Sequence, residues 1–239
     1  MRQSNSYIVL FALGMCVVVG GLLSLAAVGL KDAQKKARDL DTKKQILGAV
    51  RELKDTDDVL KIYAESIQSE VVDIEGNVVD TSIPAEEIDV SKEYKKDPAE
   101  RLFPVFKYKG SPSSEEIDAY IVPIYGSGLW DKIWGFVALK NDFNTIEGIV
   151  FDHKGETPGL GARITEKEVQ QRYNGKHVME NGQLVSVTML KGEKHPLESM
   201  NDHQVDGMSG ATLTADGVND MLKAYLGYYQ AYFNKVKGM

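Results

Sequence analysis

The chain has 239 residues, of which 43% are apolar and 26% charged, with a formal net charge of −7 and a single cysteine. These values are close to those of an average folded chain and exclude a disordered polypeptide, a collagen-like repeat and a disulfide scaffold. The acidic balance, without a basic patch interleaved with aromatic residues, argues against nucleic acid as a partner.

The apolar residues are concentrated at the start. After a short tail, residues 1–7, with Arg2 as its only charged side chain, residues 8–30 form a run of 23 without Asp, Glu, Lys, Arg or His. As a helix rising ~1.5 Å per residue, the run is roughly 34 Å long, enough to cross a ~30 Å hydrocarbon layer. A cleaved signal peptide is the competing reading, with Ser24-Leu25-Ala26 as a small-x-small cleavage site. The run exceeds the ~7–15 apolar residues of a signal peptide, so a retained anchor is expected. Cys16 lies inside the span, which leaves the water-soluble part without thiol, disulfide or cysteine-held metal. Lys31, Lys35, Lys36, Arg38, Lys43 and Lys44 follow the span. By the positive-inside rule they favour a cytoplasmic domain, but large domains often translocate regardless, so charge leaves the side open.

Residues 31–54, rich in Lys, Asp, Gln, Ala and Leu, read as a solvated helical stalk. Residues 55–239 then read as one α+β domain. A helix is expected at about 57–69, a hairpin over 71–80 turning at Glu75-Gly76-Asn77, and an acidic loop-rich stretch through Pro112. Residues 117–125, 134–140 and 145–152 are rich in β-branched and aromatic residues and are separated by short turns, which predicts an antiparallel meander. A short polar helix is expected over 166–173 and a strand over 184–190. Val218, Met221, Leu222, Tyr225, Tyr229, Tyr232, Phe233 and Val236 recur at spacings of three and four, the apolar face of a final helix packed on the sheet.

Two loops carry chemistry. Asp206-Gly207-Met208-Ser209-Gly210-Ala211-Thr212-Leu213-Thr214 immediately precedes the last helix. Small side chains and hydroxyls at a helix N-terminus suit a phosphate, because free N–H groups and the dipole favour negative charge there; an ordinary N-cap has the same composition. Gly155-Glu156-Thr157-Pro158-Gly159-Leu160-Gly161 follows a strand. It reads as a turn, or as a seat for a flat ring with Pro158 and Leu160 as its apolar wall.

Asp206-x-x-Ser209-Gly210-Ala211-Thr212 resembles the flavinylation motif of FMN-binding domains, in which the threonine hydroxyl is esterified to the FMN phosphate. Thr157-Pro158-Gly159-Leu160-Gly161 resembles that family's second signature, and Gly126-Ser127-Gly128-Leu129-Trp130 resembles a segment of the C subunits of sodium-translocating NADH:quinone reductases. The resemblance implies one covalent FMN on Thr212, with Ser209, Gly210, Ala211, Leu213, Thr214, Glu156, Thr157, Pro158, Gly159, Leu160, Gly161 and Trp130 around it. It further implies a separate flavin transferase that uses FAD and reads Asp206, integral membrane partner subunits, and a bacterial inner-membrane location with the domain in the periplasm. Two alternatives stay open: the G subunit of an Rnf-type ferredoxin:NAD oxidoreductase, and a membrane-anchored anion-binding scaffold.

No Gly-x-Gly-x-x-Gly follows a strand, so NADH is expected to bind another subunit. His153, His177, His195 and His203 are spaced by 24, 18 and 8, unlike common metal sites, and are expected at the surface. Residues 55–115 receive no functional assignment.

Overall fold

The computed structural model describes residues 4–111 and 116–238, and the chain forms two compact units that divide between Asp41 and Thr42. Helix α1 (Asn5–Gly48) supplies the first unit and opens the second. From Tyr7 to Leu30 every large apolar side chain is exposed, and the most apolar 18-residue window has a mean hydropathy of 2.6. A helix apolar on all sides and long enough to span is suited to lipid, not to water.

The expected stalk is shorter than its predicted end at residue 54. The helix stops at Gly48 because its last turn enters the core of the second unit: Ile46 and Leu47 are fully buried. Gln45 Nε2 donates to Asp152 at 3.1 Å, and Gly148 lies where a Cβ would come within 2.5 Å of the Ala49 carbonyl oxygen.

Helix α2 (Val59–Ser66), capped by Asp58 through the Lys61 amide at 3.2 Å, runs directly into strand β1 (Ile67–Val72). The predicted helix therefore ends at Ser66, and its last residues are the start of a strand. The turn at Gly76 forms with φ 75°, but the expected hairpin reduces to one bridge between Val72 and Val78. After the short helix α3 (Val90–Glu93) comes β2 (Phe103–Tyr108), a strand within the stretch read as loop. The meander follows as β3 (Ala119–Ser127), β4 (Lys132–Lys140) and β5 (Ile146–His153), giving one antiparallel sheet in the order β1-β2-β3-β4-β5. Part of the link before β3, residues 112–115, lies outside the described residues.

Helix α4 (Lys167–Gln171) precedes a small hairpin of β6 (Met179–Glu180) and β7 (Gln183–Leu184). The predicted strand over 184–190 breaks at Ser186, whose φ is 66°: Leu184 ends β7, and β8 (Thr188–Met189) follows, paired in parallel with β9 (Gln204–Val205). The chain closes with α5 (Thr212–Lys237). Its predicted apolar face is buried from Val218 to Phe233, with Val236 half-buried, and packs on the face of the sheet that carries Tyr120, Val122, Val137 and Leu139. Alternation places Phe106, Ile121, Phe136 and Ala138 on the opposite face. Helix α5 is pinned at its far end by Tyr229 Oη donating to the Pro104 carbonyl at 2.9 Å and Tyr232 Oη donating to Glu70. At its near end Gly217 lies against the Ser127 carbonyl, where a Cβ would collide.

Leu222 is fully buried on this face. Leu222→Ala is expected to destabilise the second unit by about 2–5 kcal/mol, read as an earlier loss of near-ultraviolet circular dichroism in denaturant at unchanged far-ultraviolet baseline.

Candidate functional site

Three segments converge on the start of α5: the β3–β4 turn, the loop after β5, and the loop from Asp206. The first two are joined to the helix by one carboxylate. Glu156 is 4% exposed; its Oε1 accepts from the Trp130 amide at 2.9 Å and its Oε2 from Thr214 Oγ1 at 2.6 Å. The Glu156 amide in turn donates to His153 Nδ1 at 3.2 Å. Burial alone would raise the Glu156 carboxyl, but hydrogen bonds from Thr214, Trp130, Asp131 and Leu129 outweigh it and hold the group below its usual range. Crowding around this carboxylate explains two glycines: a Cβ on Gly128 would come within 2.5 Å of Glu156 Oε1, and one on Gly161 would strike Thr214 Oγ1 and Glu156 Oε2. Trp130 Nε1 donates to Thr157 Oγ1 at 3.1 Å, and Gly159 turns the loop with φ 74°.

The second loop is held from behind. Arg172 Nη1 donates to the carbonyls of Asp206 at 3.2 Å and Gly207 at 2.6 Å. Glu193 accepts a bidentate pair from Arg163 at 2.7 and 3.0 Å, a longer contact from Arg172 at 3.4 Å, and the Ser209 amide at 3.3 Å. The Arg163 guanidinium is the largest reason that the Glu193 carboxyl falls to about 2. Asp206 turns inward: its carboxylate accepts from the amides of Lys194, His195 and Gly207 at 2.8, 3.1 and 3.0 Å, and lies 2.7 Å from His195 Nδ1. Burial would raise Asp206, but the His195 ring, with the backbone amides of His195 and Lys194, holds it low, so the carboxylate is ionised and Nδ1 carries the proton. Gly207 admits no side chain, since a Cβ would collide with the carbonyls of Leu190 and Gly192.

At the front, Ser209 and Gly210 are exposed, and Gly210 has φ 74°. Ala211 is the N-cap of α5 and provides no side-chain cap. Among the described residues the amides of Thr212, Leu213 and Thr214 have no acceptor, and the half-buried Thr212 hydroxyl has no partner; regular bonding starts with Ala215 donating to Ala211 at 2.9 Å. Leu160 touches Gly210, and exposed Leu129, Trp130, Pro158, Leu160 and Leu213 give this end of the domain an apolar surface.

Thus the predicted residues separate into two sets. Glu156, Gly161 and Thr214 contact one another and brace the loops, while Thr157, Pro158, Gly159, Leu160, Ser209, Gly210, Thr212, Leu213 and Trp130 reach the surface, and Ala211 is buried beneath them. The histidines are not simply superficial: His153 and His195 bind the loops, and His203 Nδ1 contacts the His177 carbonyl at 2.7 Å. Arg163, Arg172, Glu193 and His195 were not singled out by sequence reasoning, since nothing in their local pattern marks an ion pair between residues 30 apart.

Residues 128–227 match the FMN-binding domain family. The C subunit of the Na(+)-translocating NADH-quinone reductase of Vibrio anguillarum is 31% identical over 227 residues, covering 90% of this chain and 88% of that one. The chain belongs to the family of these C subunits, the NqrC family. The corresponding protein of Pseudomonas aeruginosa is 32% identical over 95% of this chain and 93% of its own length. The crystal structure of the Parabacteroides distasonis relative, which bears the same name, superposes with a TM-score of 0.74 at 32% identity, covering 85% of this chain and 96% of that one. NqrC of Shewanella oneidensis gives 0.73 at 28% identity, over 85% and 100%. The sheet, the closing helix and the apolar N-terminal helix are therefore those of an NqrC chain, and the two loops lie within its FMN-binding domain.

The residues fit such a cofactor. Three unpartnered amides at the positive end of a long helix suit a phosphate, and an apolar rim beside them suits a flat ring.

The depressed carboxyls define an acid response. Glu193 lies at about 2 against an ordinary 4.5, so its contribution to stability is complete above about pH 4.5 and is lost as pH falls towards 2; Glu156 and Asp206 act in the same direction. Near-ultraviolet circular dichroism is expected to fall over that window, and Glu193→Gln is expected to flatten the response while weakening the domain at neutral pH.

Proposed function

We propose that Thr212 carries one FMN, linked through its phosphate, and that the chain relays electrons within a sodium-translocating NADH:quinone reductase. The observation that carries this reading is the Thr212 hydroxyl, without a partner among the described residues, at the N-terminus of α5, where the first three amides have no acceptor among those residues. In the loading step Thr212 Oγ1 attacks the FMN-side phosphorus of FAD. The phosphoanhydride bond breaks, AMP leaves, and the hydroxyl proton passes to solvent; a separate flavin transferase provides the catalysis. The resulting phosphodiester keeps one negative charge, which the amides of Thr212, Leu213 and Thr214 and the helix dipole stabilise by ~0.3–1 kcal/mol or more.

When bound, FMN supplies one- and two-electron transfer; the protein supplies position and electrostatics. Trp130, Leu160 and Leu213 offer the apolar surface for the ring, and the Glu156 and Glu193 clusters keep the supporting loops rigid. A covalent link prevents loss of the carrier during exchange between partners. One apolar span does not enclose an ion path, so ion movement belongs to integral membrane partners whose helices meet α1. The domain is assigned to the periplasmic side, which protease digestion of spheroplasts stripped of the outer membrane checks: cleavage of the domain supports it and full protection contradicts it.

Expressed with a flavin transferase and run on a denaturing gel, the full chain is expected to retain flavin fluorescence. Thr212→Ala is expected to abolish the signal, and Thr214→Ala to leave part of it. A dark wild-type band would favour the anion-binding scaffold instead.

A further inference from the structure

The Asp206 carboxylate is occupied by its own chain. Its side chain is 19% exposed, and it accepts four hydrogen bonds at 2.7–3.1 Å from Lys194, His195 and Gly207. Three of the four fall on Oδ1 and one on Oδ2, so both oxygens are already engaged by the protein's own chain. What the carboxylate secures is the segment of Glu193, Lys194 and His195. Lys194 has φ 69°, a left-handed conformation that a lysine adopts only under constraint, and Asp206 accepts its amide. Glu193, the preceding residue, returns to the same loop by accepting the Ser209 amide, with Arg163 and Arg172 fixing its carboxylate. Asp206 and Ser209 are therefore tied to adjacent residues of one segment, closing a ring behind Gly207 and Met208. The ring ends three residues before Thr212, and it determines how the chain enters α5.

We propose that Asp206, His195 and Glu193 are positioning residues for the loading of Thr212: they hold the acceptor loop in the form the flavin transferase accepts, and Asp206 acts from inside the protein instead of being read at its surface. The proposal rests on Thr212 being the flavin acceptor. His195 is the informative member, because it precedes the motif by eleven residues and meets it only through the Asp206 carboxylate and the bonds of its own segment.

The test uses the full chain in detergent, purified transferase and FAD, with flavin incorporation followed by gel fluorescence as the acceptor concentration is varied. His195→Ala is expected to lower kcat/KM for the acceptor about tenfold, the equivalent of one lost hydrogen bond to a charged group. His195→Asn, whose amide nitrogen can still donate to Asp206, is expected to stay within about threefold of wild type by the same scale. Glu193→Gln, which loses the charge that anchors Arg163 and Arg172, is expected to fall with His195→Ala. Near-ultraviolet circular dichroism at the assay temperature gives the folded fraction. A positioning role lowers the rate of protein that is fully folded, whereas a merely structural role lowers it only in proportion to the folded fraction, and that second result would overturn the proposal. Wild-type rates in both His195→Ala and Glu193→Gln, alongside loss in Asp206→Ala, would also overturn it and assign Asp206 to direct reading. Failure of the wild-type chain to take flavin would instead remove the assignment of Thr212 on which the proposal rests.

Discussion

The candidate site depends on one buried carboxylate. Glutamates are rarely buried unless paired or hydrogen-bonded, and Glu156 meets that condition by collecting the Trp130 amide and the Thr214 hydroxyl while its own amide engages His153. It thereby fixes the β3–β4 turn and the loop after β5 to the first turn of α5. Leaving such a group without one of its donors costs about 1–3 kcal/mol, an appreciable part of a domain stability of about 5–15 kcal/mol. The glycines at 128 and 161 follow from the same carboxylate, since no side chain fits beside it.

A division of labour follows. The antiparallel sheet and α5 form the rigid body: the helix is buried against the sheet along its apolar face and held at its far end by Tyr229 and Tyr232. The same helix presents its N-terminal amides at the other end, so the element that completes the core also supplies the amides of the candidate anion site. The loop from Asp206 sends Met208 and Ala211 into the core, and polar groups hold the rest of both loops. They are stiffened by Glu156 on one side and by the Arg163–Glu193–Arg172 and Asp206–His195 groups on the other, while among the described residues the first amides of α5 have no acceptor.

Much of this was legible from the chain. The closing helix and the three-strand meander each rest on a local period of apolar residues and appear within a few residues of their expected places, and the continuous apolar run over 8–30 lies inside the longer helix α1. Strand β2 was not legible because Pro104 and Lys107 interrupt the run, yet Pro104 sits in the sheet opposite Val71 and its carbonyl accepts from Tyr229. Strand β1 carries Gln68, Ser69 and Glu70, and it exists because β2 pairs with it, a tertiary effect that overrides local pattern. The two motif loops were found by composition and resemblance. Their supporting ion pairs were not, because they join residues distant in sequence whose types are equally common on any solvated surface.

The proposed function rests on a single bond, between Thr212 and a flavin phosphate. Trypsin cuts after Lys194 and Lys223 and finds no Lys or Arg between them, so Thr212 and Thr214 fall in one peptide, residues 195–223. Fragmentation mass spectrometry of that peptide, from the chain matured with a flavin transferase, tests the claim most directly. The account predicts the mass of one FMN phosphoester, localised by fragment ions to Thr212. An unmodified peptide, or a flavin localised to Thr214 or Ser209, would contradict it.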